Sequence, residues 1–500
     1  MAELTEQACP PGDYDVVVVG SGPGGLQAAY CLTRAGIDRC AVISRDPAPG
    51  GMFRRFPIYQ RLISWTKPDA PFERGTREYE NYDHNSLVGD EPEHQALAPR
   101  FMDRAFDLPA RHEMESALVE FATRGNIAVS YECEWLSTRR EDDGGFAIVT
   151  SHGEFRCRAC VFATGVTDPW KPPVPGLDDA PHYAEALPPD RYAGKSIVII
   201  GKRNSGFELA QGLLPWVRKI VLASPRPVDT SLLAFSPLRL RYLQPFDEHV
   251  RGGSGSHVVD AAIERIERSS GGYRTLANGT SFEGELVLES DELIVATGFR
   301  APLVDLPSLG VATISDGRLP ALTPYWESVS VPGIYFAGNV TQGSPGLRKH
   351  GATSNSTSVN GFRYNARVLA RHIVEKHFGL GADRPSLDGA DVVPYLLREL
   401  ALGPELWIQK GYLTRVVTFD GAEGIRDEGI VPLADFVDRG TADACAVAVE
   451  YDADGTIVPA VYVRRDGKLA EHVLPPHPLN AFDTAEHGRE LTARLAPLLS

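Results

Sequence analysis

The stretch Asp15-Val16-Val17-Val18-Val19-Gly20-Ser21-Gly22-Pro23-Gly24-Gly25-Leu26 decides the reading of this chain. Four β-branched residues in a row, closed by glycine, read as a buried parallel strand. They run into G-x-G-x-x-G at Gly20, Gly22 and Gly25, and an Ala-rich apolar helix follows to about Ala35. Gly20 permits the tight turn, Gly22 lets backbone N–H groups approach a pyrophosphate, and Gly25 lets helix and strand pack closely. Pro23 suits the first helical turn. The helix N-terminus offers partial positive charge to the phosphates. Strand, turn, helix and second strand in that order predict a dinucleotide site; a purely structural glycine-rich turn is the alternative.

The second strand, Cys40-Ala41-Val42-Ile43, should end on an acid that holds the adenosine ribose. Here it ends on Ser44, followed by Arg45 and Asp46. Ser44 can hydrogen-bond a ribose hydroxyl, more weakly than a carboxylate. Gly50-Gly51-Met52-Phe53 comes next. Backbone packing against a bound cofactor explains the glycine pair, and a plain turn is the alternative.

Bulk properties narrow the field. At 500 residues the chain is long enough for two to four domains with sizeable cores. With 43% hydrophobic and 23% charged residues its composition is that of a globular protein. A net charge of −16 without a basic tract argues against nucleic acid or an anionic membrane as partner. MAELTEQACPPG has neither a basic n-region nor an apolar h-region, and no run approaches a membrane span, so a cytoplasmic location is expected. Seven scattered cysteines, an odd number, argue against a disulfide framework. Cys157 and Cys160 have C-x-x-C spacing but lie in a stretch that reads as a strand, where residues three apart face opposite ways. They are therefore expected to be structural, and no metal site is expected.

Residues 52–110 are irregular and rich in Arg, Pro, Tyr and Asp, the mark of a functional loop. Within them lie Leu62-Ile63-Ser64-Trp65-Thr66-Lys67 and Asp83-His84-Asn85-Ser86-Leu87. An amphipathic helix opens at Pro109-Ala110-Arg111-His112-Glu113. Strands follow around 127–136 and 145–150, and the Cys-bearing strand ends in Ala163-Thr164-Gly165 before a Pro-rich hinge at 168–176.

A second dinucleotide unit begins there. Lys195–Ile200 reads as a strand, Gly201-Lys202-Arg203-Asn204-Ser205-Gly206 as the turn, and Phe207–Leu214 as the helix. The next strand ends at Ser224 without a carboxylate and is followed by Arg226, a pair that suits the 2′-phosphate of NADPH. Arg203 replaces the middle glycine. Either it points outward and pairs with phosphate, or the site binds poorly. After residue 285 the chain is expected to return to the first domain. Asp291–Phe299 carries a second Ala-Thr-Gly with Thr297 and Gly298, and Ile334–Ala337 places Gly338 and Asn339 beside the cofactor. Arg348-Lys349-His350 either stabilises a reduced, anionic ring or is a solvated charge run. Residues 385–500 read as a separate α+β module, with hairpins at Asp454-Gly455 and Asp466-Gly467 and a final helix over about 484–496. It carries no visible catalytic constellation and suits an interface, including one between copies of the chain, or an active-site cover.

Two dinucleotide turns, the second inserted in the first, with two Ala-Thr-Gly strand ends, resemble the two-dinucleotide-binding-domain flavoproteins over roughly residues 13–378. Asp291-x-x-x-Val295-Ala296-Thr297-Gly298-Phe299, Asn204-Ser205-Gly206-Phe207-Glu208-Leu209-Ala210 and Pro109-x-Arg111-x-Glu113 are similar to motifs of the class B flavin monooxygenases, the flavin-containing and N-hydroxylating enzymes. Their F-x-G-x-x-x-H fingerprint is only partly present, with His182 but no Phe-x-Gly. Thr66 stands where relatives carry an Asn near the flavin, and Ser44, Arg203 and Asn339 replace an expected Glu, Gly and Asp. Leu62–Lys67 and Asp83–Leu87 also resemble pieces of an endoplasmic-reticulum FAD oxidoreductase and its bacterial relatives.

The resemblance implies an α/β fold of two Rossmann-like domains plus a small C-terminal α+β domain. The FAD domain would cover 13–170 and 289–380, the NADPH domain 171–288, and the last module 385–500. It further implies FAD and NADPH as cofactors. NADPH reduces the flavin, and a flavin C4a-peroxide then passes one atom of O2 to a soft nucleophile, foremost the nitrogen of an amine or amino-acid-like small molecule. Thr66, Lys67 and Asn85 are the candidate catalytic residues, with Trp65, Asp83, Ala163, Thr164 and Gly165 lining the flavin site. Two other readings remain: a flavin-dependent NAD(P)H disulfide or quinone-type reductase, which needs a redox dithiol or other acceptor beside the flavin, and a non-enzymatic FAD-binding interaction protein.

Overall fold

The computed structural model describes residues 9–54, 61–229, 240–381, 383–421 and 424–499, the side chain of Arg54 excepted. The first eight residues, part of the stretch read for a leader, lie outside them. The chain divides into two compact units, one of residues 1–51, 62–166 and 301–500, the other of residues 52–61 and 167–300.

In the first unit the valine run forms the strand Gly12–Val19, with Val16, Val17 and Val18 fully buried. It lies between parallel neighbours, Cys40–Ile43 on one side and Gly153–Phe162 on the other. Burial on both sides explains why the run is continuous rather than alternating. The long strand Gly153–Phe162 serves two partners in turn. Its first half pairs antiparallel with Phe146–Thr150, and its last three residues pair parallel with Ile334–Phe336. The segment 62–110 contains only short helical turns and bridges.

In the second unit Ser196–Ile200, Lys219–Ser224 and Ser256–Asp260 run parallel, and the long strand Ser256–Ser269 then turns antiparallel with Gly272–Gly279 and Glu285–Ser290. The sixth strand corrects the expected boundary at 288. Glu292–Val295 pairs with Ser196–Ile200, from Glu292 opposite Ile197 to Val295 opposite Ile200, so it closes the inserted sheet. The chain rejoins the first unit after Arg300. A short apolar run before Ala-Thr-Gly has the same pattern in both sheets, and only the strand register assigns it.

The last module is a five-stranded antiparallel sheet in the order Gly424–Pro432, Leu413–Asp420, Ala444–Tyr451, Ile457–Arg465, Lys468–Val473. Along Ala444–Tyr451 alternate residues serve two cores. Cys445, Val447 and Val449 pack with Leu396, Leu491 and Leu495 from the helices Val392–Leu402 and Ala485–Leu499. Ala444, Ala446 and Ala448 face Leu433 and Phe436. Asp466 and Gly467 both have positive φ, as a tight hairpin turn requires.

This module belongs to the first unit and is bound to it by charges. Arg77 forms a fork on Glu399, with Nη1 to Oε1 at 2.6 Å and Nη2 to Oε2 at 2.7 Å, and also donates to Glu405 Oε2 at 2.7 Å. Asn81 donates to Leu402 O at 2.9 Å, and Arg398 pairs with Glu78. Both carboxylates are almost fully buried, at 5% and 7% exposure. Removing Arg77 takes the hydrogen-bonded partner from two buried carboxylates, leaving only Arg415 at 3.9 Å from Glu399 and Arg367 at 3.8 Å from Glu405. Arg77→Ala should therefore lower unfolding free energy by about 3–5 kcal/mol, measured by denaturant titration, with Arg77→Lys intermediate because one ammonium cannot reproduce the fork.

Candidate functional site

At the first turn the backbone closes so tightly that no side chain fits. Gly20 has φ +114°, and a Cβ there would lie 2.5 Å from Ala163 O. A Cβ on Gly25 would meet Gly20 O at 1.8 Å, and one on Gly24 would meet the Gly338 Cα at 2.4 Å. Around Gly22, in contrast, there is open space. The helix Pro23–Arg34 starts there with Pro23 at its head and no side chain capping it. Its first N–H groups are thus offered to an anion. Gly51 packs near the Gly22 Cα, and its Cβ would lie 3.9 Å from Asp46 Oδ2. This carboxylate, three residues past the end of the strand Cys40–Ile43, is the acid that stands by the turn. Ser44 is buried, and its Oγ accepts from Ser21 Oγ at 2.7 Å and from Asp46 N at 3.3 Å. It keeps its own proton for an acceptor. Arg45 is exposed. On the neighbouring strand end Ala163 is buried, Gly165 has φ +75°, and Thr164 Oγ1 is buried without a partner. Gly338, at φ +78°, and half-buried Asn339 open the next short helix. An uncapped helix, an open Gly22 and an orphaned threonine hydroxyl fit the pyrophosphate end of FAD. Met52 and Phe53 lie in the turn Gly51–Arg54 and group with the second unit.

Thr66, Asp83 and Asn85 come together in one hydrogen-bonded knot. Asp83 Oδ1 accepts from Thr66 Oγ1 at 2.8 Å, Asn85 N at 3.1 Å and Ser86 N at 3.0 Å. Asn85 Nδ2 donates to Ser64 O and to Thr66 Oγ1, both at 2.9 Å. The Thr66 hydroxyl thus gives its proton to Asp83 and accepts from Asn85. Trp65 packs on His84 at 4.0 Å between centroids with the rings tilted by 37°, and the exposed Lys67 lies 6.0 Å from the Trp65 ring. Burial, with Arg363 and Lys410 nearby, pushes the His84 pKa down to about 3.

Two residues that hold the segment carrying this knot escaped the sequence reading. Arg363 is buried and donates to Asp83 O and Ser86 O at 2.7 Å, and to Glu80 O and Tyr364 Oη at 2.9 Å. Gln27, on the helix after the first turn, exchanges two 2.8 Å bonds with the Val88 backbone. Asp83 Oδ2, Gln95 Oε1 and Arg363 Nε are buried without partners and line one cavity of about 10 Å³, room for one water. A polar Gln in an otherwise apolar Gly-Gly-Leu-Gln-Ala-Ala helix start was the available signal for Gln27. Arg363 had none.

The second turn repeats the first. Gly201 has φ +125°, with its Cβ position 2.3 Å from Ala296 O, and a Cβ on Gly206 would meet Gly201 O at 2.3 Å. Arg203 precedes the helix Asn204–Leu213 with φ −113° and ψ −166°, ordinary extended backbone; its side chain is exposed and makes no capping hydrogen bond. Nothing in the turn demands glycine there. Asn204 and Ser205 are half-buried on the first helical turn, Ser224 is half-buried, and Arg226 is exposed. The uncapped helix and the exposed arginines fit the phosphates of a nicotinamide dinucleotide. Thr297 Oγ1 donates to Trp170 O at 2.5 Å, and Trp170 N donates to Gly298 O at 3.0 Å, binding the Ala-Thr-Gly turn to the hinge. His182 Nε2 lies 3.0 Å from the same Gly298 O. In the first unit, Lys349 of the basic triplet turns to the last module, bonded to Glu450 at 2.9 Å and to Tyr462 and Glu471. Arg348 and His350 are exposed. Glu113 caps its own helix, its carboxylate accepting from Ala110 N at 2.6 Å and Asp103 N at 2.7 Å.

Among the described residues no helix is long and apolar enough to cross a membrane, and no three His, Cys, Asp or Glu side chains cluster as metal ligands do.

Because Gly22 faces open space, Gly22→Ala should leave the apoprotein as stable as wild type while abolishing retained flavin, read as absorbance at the flavin band after purification. Gly25→Ala should disturb both, since its methyl group meets Gly20 O. A second expectation concerns Glu208, which accepts from Tyr183 Oη at 2.7 Å. Burial pushes its pKa up to about 7. The native state therefore favours the protonated acid, and this contribution is full at low pH and lost as pH rises through about 7. Glu208→Gln should be near neutral below pH ~4.5 and gain stability over wild type as pH climbs to about 7, by up to about 3 kcal/mol, measured by thermal melts across pH.

Comparison with known proteins agrees with this geometry. A mouse FAD-dependent oxidoreductase domain-containing protein 2 is 32% identical over 411 residues, 74% of this chain and 59% of that protein, so the chain spans well under two thirds of that relative's length. Among solved structures, a bacillithiol disulfide reductase of Staphylococcus aureus superposes with TM-score 0.56 at 17% identity, covering 73% of this chain and 99% of its own. A flavin-containing monooxygenase of Stenotrophomonas maltophilia superposes with TM-score 0.54 at 20% identity, covering 72% and 98%. Residues 17–338 match the sequence pattern of one family throughout, from the first valine strand to Gly338: the chain belongs to the pyridine nucleotide-disulphide oxidoreductases, which use FAD and NAD(P)H.

Proposed function

We propose that the chain is an NADPH-dependent flavoprotein monooxygenase acting on a small-molecule soft nucleophile, foremost an amine nitrogen. For a primary amine the balance is RNH2 + O2 + NADPH + H+ giving RNHOH + H2O + NADP+. The observation that carries this reading over disulfide reduction is where the cysteines lie. Cys157 and Cys160 are built into the central strand, opposite Tyr14 and Val17, and both are buried. Burial holds the Cys160 thiol well above its ordinary pKa, and pushes Cys31 up to about 11 and Cys40 and Cys445 up to about 12. Such thiols are poor nucleophiles. The motifs around Asn204–Ala210 and Asp291–Phe299 supply the likeness to N-hydroxylating enzymes.

Bound FAD would accept a hydride from NADPH and pass electrons to O2. The protein's part is to bind, orient and keep water out. The uncapped helix at Gly22 receives the FAD phosphates. Ser44, with its free proton, and Asp46 suit the ribose end. The Asp83 knot fixes the loop bearing Trp65 and Lys67. At the second turn Arg203 and Arg226 offer ten N–H donors between them, five per guanidinium.

The test is anaerobic mixing with NADPH followed by oxygen. The expected result is flavin bleaching, then oxygen uptake stimulated by an amine and matched by hydroxylated product. NADPH oxidation driven without oxygen by a disulfide or quinone would instead establish the reductase. Arg226→Ala should raise the KM for NADPH about ten- to a hundredfold, the loss of a charged contact of roughly 1.5–3 kcal/mol, with little change for NADH.

A further inference from the structure

The carboxyl edge of the inserted sheet holds an ion pair that the reading above leaves unused. Lys202, the residue after Gly201, turns inward until its side chain is 2% exposed. Its Nζ donates to Val259 O at 2.9 Å and to Asp260 Oδ1. Asp260 stands directly opposite Ser224 in the parallel pair, at the same level of the sheet. Its carboxylate keeps 21% exposure, so its charge opens toward the edge. Thr280 fastens the spot, its N donating to Asp260 O at 2.9 Å and its Oγ1 to Pro225 O at 2.6 Å.

In parallel sheets the ligand lies outside the carboxyl ends of the strands, and the end of the second strand faces the adenosine ribose. That strand ends here at Ser224 without an acid. The acid is one strand further along, and it is tied to the glycine turn itself through Lys202. A group on the ribose 2′ position is therefore exposed to two opposed influences, the Arg226 guanidinium and the Asp260 carboxylate, with Lys202 tempering the second. Pairing with Lys202 also keeps the Asp260 carboxyl below its usual pKa, so it is charged at neutral pH.

We propose that Lys202 and Asp260 form a specificity-determining pair for the adenosine end of the second nucleotide site, Asp260 opposing a ribose 2′-phosphate and Lys202 setting how strongly. The proposal rests on the second turn being a nucleotide site. A buried lysine that merely needs a counter-charge would also explain the pair, but it would not separate one adenine nucleotide from another.

Two half-cofactors provide the test on the purified, flavin-loaded full chain: 5′-AMP and adenosine 2′,5′-bisphosphate, each titrated by calorimetry. Asp260→Asn removes one negative charge, and the preference for the bisphosphate should rise on the order of tenfold, as for one charge near the surface. Lys202→Met exposes the full charge of Asp260, and the preference should fall by a comparable factor. Opposite shifts from two substitutions in one ion pair support the proposal. Equal effects on both nucleotides, or no shift with Asp260→Asn, overturn it while leaving the nucleotide site standing. Asp260→Asn alone decides if Lys202→Met does not fold. Binding of neither nucleotide by wild type overturns the site and the proposal together.

Discussion

Backbone meets backbone at the first turn, and the rest of the first unit is arranged to allow it. A methyl group on Gly24 would meet the Gly338 Cα, and one on Gly25 would meet the Gly20 carbonyl. Residues more than 300 positions apart in sequence thus converge where only hydrogen atoms fit. This approach brings a helix N-terminus, the strand end at Ala163 and the turn at Gly338 to one point. Steric exclusion here is positive in effect, because the space refused to side chains at Gly20, Gly24 and Gly25 leaves open the space at Gly22.

A second layer of organisation is electrostatic. Arg363 gathers the carbonyls of Glu80, Asp83 and Ser86 around one guanidinium. Five donors in a fixed fork suit a loop whose own regular structure is limited to short helical turns and bridges. Arg77 then ties the same segment to Glu399 and Glu405 of the last module. The loop at 62–90 therefore owes its shape to side chains rather than to a sheet or helix. Low dielectric around these pairs makes each one costly to break, though not a source of large net stability.

Local pattern sufficed for the two glycine turns, the hairpins at Asp454-Gly455 and Asp466-Gly467, and the long irregular stretch, since each depends on residues within one turn of each other. Partners far apart in sequence were not legible. Nothing near Arg77 points to Glu399, and nothing near Arg363 points to Asp83. The run Glu292–Val295 carries no mark of its sheet, which is why the inserted domain extends further than its pattern implied. At the site, the sequence singled out Thr66, Lys67 and Asn85 and set Asp83 apart as a flavin-lining residue, but not that Thr66, Asp83 and Asn85 bond mainly to one another. Asp46, two residues past Ser44, was visible in the sequence, but not that its carboxylate stands beside the glycine turn. Arg203 looked like a misfit because its motif assigns glycine, yet its backbone needs none.

The cysteines have a use that chemistry alone would not suggest. All seven are free, and six are buried. Five of the buried ones, Cys9, Cys31, Cys133, Cys157 and Cys160, lie with the first sheet and its helix, and Cys445 lies inside the last module. The inserted unit, 167–300, contains none. A thiol reagent applied under native conditions therefore reports on the first unit alone: its six buried thiols react only as fast as that unit opens, and half-buried Cys40 reacts without such opening. The chain carries its own spatially selective reporter, blind to the inserted sheet and sensitive to whatever nucleotide or flavin binding does to the rest.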